Sequence, residues 1–307
     1  MNILVTGASG FIGKNLVRRL TQDKTNRVTC LVRRTSNVDK LESLGVEFVF
    51  GDICEPTSLA AINIPVDLIF HCAAYVDERN IKKLNHTNID GTENIFSFAL
   101  DRKIKKIVYL SSVAVVSGNN EVPLTEDLPY AATNDYGRSK IAAEKIAIAY
   151  REKGLKVAII RPSMVYGEEE PHMMRYLLKA VKLHLLPVIN GGSAKLHMVY
   201  IQNVVDALIF IMNNDACYAG TFFIADKEVL TNREILMIIA AASGAKPPWE
   251  MPDFVFRALL CLPFIGTKLQ FIQKDRVYGT QRMEALGFKF GFDARKALEA
   301  SVQNFKF

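Results

Sequence analysis

Cysteine, tryptophan and unbroken hydrophobic stretches are what this sequence has least of. Its five cysteines, Cys30, Cys54, Cys72, Cys217 and Cys261, form no Cys-x-x-Cys pair and no Cys/His cluster at metal spacing. That excludes a zinc ribbon or finger, and no metal site is expected. An odd, unpatterned set points to a reducing compartment rather than to a disulfide framework. The longest apolar stretch, residues 254–265, contains Arg257 and Pro263 and falls short of the ~20 residues that a membrane span needs. It is expected to pack as an ordinary helix, with an apolar lid or a membrane-touching face as the alternatives. No run of five like charges occurs, and the densest basic stretch, Arg102-Lys103-Ile104-Lys105-Lys106, is broken by Ile104. A net charge of +6 on 307 residues is too mild to indicate nucleic acid as a partner. Because Asn2-Ile3-Leu4-Val5-Thr6 already reads as a core strand, no signal peptide is expected, and the location expected is cytoplasmic.

What is present is a chain of about two domain lengths with a large core. Half of it is hydrophobic and 23% is charged, so disorder is excluded. Short apolar runs at residues 3–6, 27–32, 46–50, 67–71, 106–110 and 156–160 read as buried strands. Between them lie helical patterns, for instance at residues 11–20 and 92–100. Near-continuous apolar strands separated by helices predict an α/β fold with a doubly wound parallel sheet. After Arg161-Pro162 the strands thin out, and helices are predicted over 173–184, 204–213, 232–242 and 253–260. We read residues 1–165 as a dinucleotide-binding domain and 166–307 mostly as a substrate-binding cap, with a soft boundary that the chain can cross back over.

The first strand runs into Thr6-Gly7-Ala8-Ser9-Gly10-Phe11-Ile12-Gly13 and then an amphipathic helix. Gly7 permits the tight turn, Gly10 lets a pyrophosphate approach the backbone, and Gly13 lets helix and sheet close together. The helix N-terminus offers N–H groups and partial positive charge to phosphates. Residues 7 and 9–13 are therefore the expected cofactor loop. Asn15, where a Ser/Thr would be required, excludes a nucleoside-triphosphate loop. At the end of the second strand Arg33 and Arg34 stand where an acidic residue would hold an NAD ribose. Guanidinium groups suit a 2′-phosphate, so NADP is the preferred cofactor, with NAD possible. Asp52 and Ile53, after the third strand, are expected beside the adenine.

Tyr136 and Lys140 are four apart in a helical segment, on one face. A free phenol has a pKa of about 10, and a nearby ammonium is expected to lower it, making Tyr136 a general acid/base near neutrality. Ser111-Ser112 ends the fifth strand, where doubly wound sheets bind ligands. Ser112 is the expected substrate hydrogen-bonding group, with Ser111 satisfying the backbone. His197 and Tyr166 are each more simply core residues than pocket ones, and Phe288, Phe290 and Phe292 are expected to plug the cap core.

These motifs together resemble the extended short-chain dehydrogenases/reductases, the group of NAD-dependent epimerases/dehydratases, dihydroflavonol reductases and 3β-hydroxysteroid dehydrogenases. The resemblance covers nearly the whole chain. It extends to His71-Cys72-Ala73-Ala74, Asn88-Ile89-Asp90-Gly91-Thr92-Glu93-Asn94, Arg161-Pro162-Ser163-Met164-Val165-Tyr166-Gly167 and the 199–207 segment. It implies Ser112, Tyr136 and Lys140 as the catalytic trio with Asn88 in support. It also implies cofactor contacts from Cys72, Ala73, Ala74 and Pro162, and a homodimer. Val113-Ala114 replaces the Asp-Glu of the dehydratases. Glu168-Glu169-Glu170 is expected to repel a sugar diphosphate, and Leu196 stands where a nucleotide-binding Arg would fall. The expected function is NAD(P)-dependent interconversion of a ketone and a secondary alcohol on a less charged, more apolar small-molecule substrate. The alternatives are a nucleotide-sugar epimerase using the same trio with retained cofactor, and a non-catalytic NADP(H)-sensing protein.

Overall fold

The structure is a computed structural model that describes residues 1–260 and 273–305. The apolar stretch 254–265 runs beyond residue 260, and that part, with Cys261, lies outside the described residues. Six strands alternate with helices through the first half: β1 (Asn2–Thr6), β2 (Arg27–Val32), β3 (Glu47–Phe50), β4 (Leu68–His71), β5 (Lys106–Leu110) and β6 (Lys156–Pro162). The intervening helices are α1 (Phe11–Leu20), α2 (Asp39–Glu42), α3 (Pro56–Ala60), α4 (Ile81–Asn85), α5 (Gly91–Asp101) and α6 (Asp135–Glu152). The second half adds β7 (Met164–Tyr166), α7 (Met173–Lys182), β8 (Lys195–Leu196), β9 (Met198–Tyr200), α8 (Ile201–Met212), β10 (Thr221–Ile224), β11 (Leu230–Thr231), α9 (Asn232–Ala242) and α10 (Asp253–Leu260). Helices Gln281–Ala285 and Ala294–Gln303 follow.

Seven parallel strands form one sheet in the order β10-β6-β5-β4-β1-β2-β3. Its two faces separate by the period of two along each strand. Ile3, Val5, Val108 and Leu110 pack with α1 and α8, whereas Leu4, Ile107 and Tyr109 pack with α5 and α6. Between β4 and β1 the order reverses, so a crevice opens at their carboxyl ends, the position where such sheets bind ligands.

The sheet is incomplete at residue 165. The chain leaves after β6 and returns to lay β10 beside it, Phe222 opposite Ile160. The cap has its own core of Met174, Leu178, Ile235, Ile239, Leu298 and Val302. The phenylalanines near the C-terminus correct the expectation made of them. Phe288 and Phe290, 4.9 Å apart, and Phe210 of α8, 5.5 Å from Phe288, belong to the core under the sheet, because helix Gln281–Ala285 packs beside β10. Phe292 is 40% exposed and lies against Tyr200.

Candidate active site

The turn from β1 to α1 needs its glycines. Gly7 has φ of 67°, and a Cβ there would lie 2.6 Å from the Ala73 nitrogen. A Cβ on Gly13 would lie 2.2 Å from the Gly7 carbonyl oxygen, so no other residue lets α1 come this close to the loop. No side chain caps α1 and no acid stands in its first turn, which leaves its first N–H groups available to an anion.

Two adjoining cavities run along the crevice from this loop. The smaller, about 230 Å³, extends to Arg33, Asp52, Ile53 and Ala73. The larger, about 470 Å³, extends past Phe11, Ile12 and Gly13 to Ser112, Tyr136, Lys140 and Pro162. Gly7, Ser9, Gly10, Cys72 and Ala74 line both. An elongated dinucleotide fits this shape: the uncapped helix end suits its pyrophosphate, and the buried hydroxyls of Ser111 and Ser163, neither with a partner, lie in the larger cavity. Two of the expected residues line neither. The Arg34 guanidinium rests over the Phe50 ring, 5.4 Å from its centroid. Asn88 sits behind the site, its side-chain amide accepting from Tyr75 N (2.7 Å) and donating to Tyr75 O (2.9 Å) and Ser139 Oγ (2.9 Å).

Helix α6 brings Tyr136 and Lys140 to the larger cavity beside Ser112. Asn134 caps it, accepting from Gly137 N at 2.9 Å. A Cβ at Gly137 would lie 2.7 Å from Ala114 O, so this glycine allows α6 to press against the 3₁₀ turn Val113–Val116 that Ser112 starts. The backbone contact expected of Ser111 falls to Ser112, whose Oγ accepts from Ala114 N (3.1 Å), whereas the Ser111 hydroxyl has no hydrogen-bond partner. A hydroxyl that accepts from the backbone keeps its own hydrogen for another group.

Lys140 does not lower the phenol as its spacing suggested. Burial pushes Tyr136 up to about 12, opposed by the Ser112 hydroxyl. Lys140, 1% exposed, donates instead to Leu110 O at 2.7 Å and lies over the Tyr109 ring. Burial draws its pKa down to about 7, against the opposing pull of Glu144 and Cys72. Glu144 escaped the sequence reading. It is fully buried, receives Arg161 through Nε (2.9 Å) and Nη2 (2.7 Å), and accepts from the Tyr130 hydroxyl. The 136, 140, 144 spacing on one helix was the available signal.

The three glutamates are also less repulsive than expected. Glu169 is paired with Lys14 and, at 3.2 Å, with Lys40. Glu168 accepts from Tyr200, and Glu170 accepts from the His172 and Met174 nitrogens. His197 is buried, bonded to Asp226 O and Tyr278 N, and Tyr166 donates to Asp226; both serve the core. Among the described residues no group of three or more His, Cys, Asp or Glu side chains is placed to hold a metal ion. No helix among them is long and apolar enough to cross a membrane.

Known proteins match this chain in sequence and in fold. A family model described as "NAD dependent epimerase/dehydratase family" matches residues 3–224. The UDP-glucose 4-epimerase of Vibrio cholerae is 30% identical, over 99% of this chain and 95% of that one. A 2-alkyl-3-oxoalkanoate reductase of Stenotrophomonas maltophilia is 30% identical over 80% of this chain and 76% of its own. Among solved structures, the UDP-glucose 4-epimerase of Thermotoga maritima superposes with a TM-score of 0.81 at 21% identity, over 99% of this chain and 98% of that chain. The matched segment ends at Ile224, the last residue of the seven-stranded sheet, so the likeness spans every strand that frames the crevice. The chain belongs to the NAD dependent epimerase/dehydratase family, and is an enzyme of the dehydrogenase/epimerase type.

Proposed function

We propose that the protein is an oxidoreductase that interconverts a ketone and a secondary alcohol with NADP in preference to NAD. The observation that carries this reading is that Ser112, Tyr136 and Lys140 line one cavity with the glycine loop. A bound nicotinamide dinucleotide supplies or accepts the hydride. The loop and the N-terminus of α1 hold the pyrophosphate, and Arg33, on the smaller cavity, takes the 2′-phosphate.

The chain's own groups handle the oxygen and its proton. With its pKa pushed up to about 12, Tyr136 keeps its proton at neutral pH, the state needed to donate to a carbonyl oxygen. Ser112, whose oxygen already accepts from Ala114 N, donates to the same oxygen and orients it. Lys140, buried beside Leu110 O and lining the same cavity, would hold the ribose of a bound nicotinamide and so fix its position against the carbonyl. Tyr136→Phe should lower carbonyl reduction by about 10²–10⁴-fold while NADPH binding, followed by fluorescence titration, stays within about twofold. Unchanged turnover would refute the assignment.

The 30% identity to an epimerase across nearly the whole chain supports a second reading, in which the same trio oxidises and re-reduces one sugar carbon. In that case substrate converts with no net change in NAD(P)H absorbance.

A further inference from the structure

A third cavity, about 360 Å³, lies in the cap between α7, α9 and residues 186–196, within the ~300–1,000 Å³ range of small-molecule sites. Its wall is mostly hydrocarbon, with Met173 and Leu177 of α7, Ile235 and Leu236 of α9, and Leu186 and Leu196 between them, and polar groups at Asn190, Ser193, Asn232 and Gln273. Among the described residues that line it, Arg233 alone is charged. That guanidinium is engaged, by Glu250 at 2.6 Å and by the Gly191 carbonyl at 2.9 Å, so among the described residues the wall presents no uncommitted cation to a phosphate. One short chain segment borders both this cavity and the reaction cavity. Ser163 and Val165 line the reaction side, and Met164 lines the cap side, as the alternation of a strand requires. The same division recurs at His172 and Met173. Met164 is 42% exposed, and a methionine side chain adapts easily to what lies against it.

We infer that the non-reacting part of the substrate is a hydrocarbon chain, which reaches past Met164 from the reaction cavity and fills the cap cavity. This inference rests on the reaction site proposed above, and it extends that site to a class of substrate: ketones or secondary alcohols with an alkyl tail. Burial of each methylene in such a wall strengthens binding by about three- to fourfold.

The test uses the full chain with NADP and a series of linear secondary alcohols from the butyl to the dodecyl member. Affinity is read by calorimetry, and oxidation is read separately by absorbance. Affinity should rise about three- to fourfold per methylene until the cavity is full, and then level off. Leu186→Arg and Met164→Arg should each flatten that slope while thermal melting shows the protein folded. Because Met164 is exposed, its variant carries the test if Leu186→Arg does not fold. A flat series in the wild type, or a slope that survives both substitutions, overturns the inference. Oxidation with a flat slope would leave the reaction standing and remove the tail. A steep slope with no oxidation of any member would do the opposite.

Discussion

Arg33 and Arg34 were indistinguishable in the sequence, because both follow β2 and both carry the charge that a 2′-phosphate needs. The strand separates them. One reaches the smaller cavity, and the other lies on the Phe50 ring, as adjacent residues at a strand end point to opposite sides. Loss of a charged hydrogen bond costs about 1.5–3 kcal/mol. Arg33→Ala should therefore raise the KM for NADP by about 10–100-fold and leave that for NAD nearly unchanged, while Arg34→Ala leaves both as they are. Steady-state kinetics with each cofactor checks this, and equal losses for both cofactors in Arg33→Ala would remove the role. The glycine positions were legible for a different reason: the constraint on Gly7 and Gly13 is local, within one turn. The orphaned Ser111 hydroxyl was not, since it depends on how β5 and β6 meet.

At the scale of elements, α6 does two jobs with one face. The i, i+4 spacing of Tyr136 and Lys140 was readable, but the partner of Lys140 was not, because Leu110 O comes from a strand thirty residues earlier. Helical periodicity gives which residues share a face and says nothing of what that face meets. Gly137 is where the helix and the Ser112 turn touch, and an added methyl there would meet both Ala114 O, at 2.7 Å, and the Ala132 side chain, at 2.8 Å. Gly137→Ala should destabilise the protein by about 1–3 kcal/mol, the usual penalty of overpacking. It should also lower kcat more than it raises KM, since it moves Tyr136 relative to Ser112. Thermal melting and steady-state kinetics together test this; an unaltered kcat would show that the contact is not what aligns the two groups.

For the whole molecule, two buried bases make stability rise with pH on the acid side and near neutrality. His71, between the hydroxyls of Thr6 and Thr92, is drawn down by burial to about 3, and Lys140 to about 7. In each case the unfolded chain binds a proton that the folded one does not, so stability rises with pH between the folded and the unfolded pKa. Unfolding free energy should climb from pH about 3 to about 6.5 on account of His71 and from about 7 to about 9 on account of Lys140, above which the buried thiols of Cys30 and Cys72, each pushed up to about 12, oppose it. One proton gives a slope of at most about 1.4 kcal/mol per pH unit. Urea unfolding of the cofactor-free protein across this range checks it. Lys140→Met should abolish the upper climb, and an unchanged climb would show that another group is responsible. The parallel sheet itself was legible from its apolar strands, as six of its seven lie in the alternating first half. β10 was not, because Thr221-Phe222-Phe223-Ile224 is a short run amid helices, and only its pairing with β6 reveals its place. The cap cavity is likewise a product of tertiary packing, with no local pattern to announce it.

The late arrival of that seventh strand has a consequence for biosynthesis. A ribosome that has finished β6 has not finished the dinucleotide half, since the closing strand emerges only after α7 and α8. Until then the outer backbone ladder of β6 stands bare, an invitation to a neighbouring nascent chain. The two halves must therefore mature as one cooperative event, and a translation product stopped at their apparent border would be a hazard to its neighbours instead of a usable half-enzyme.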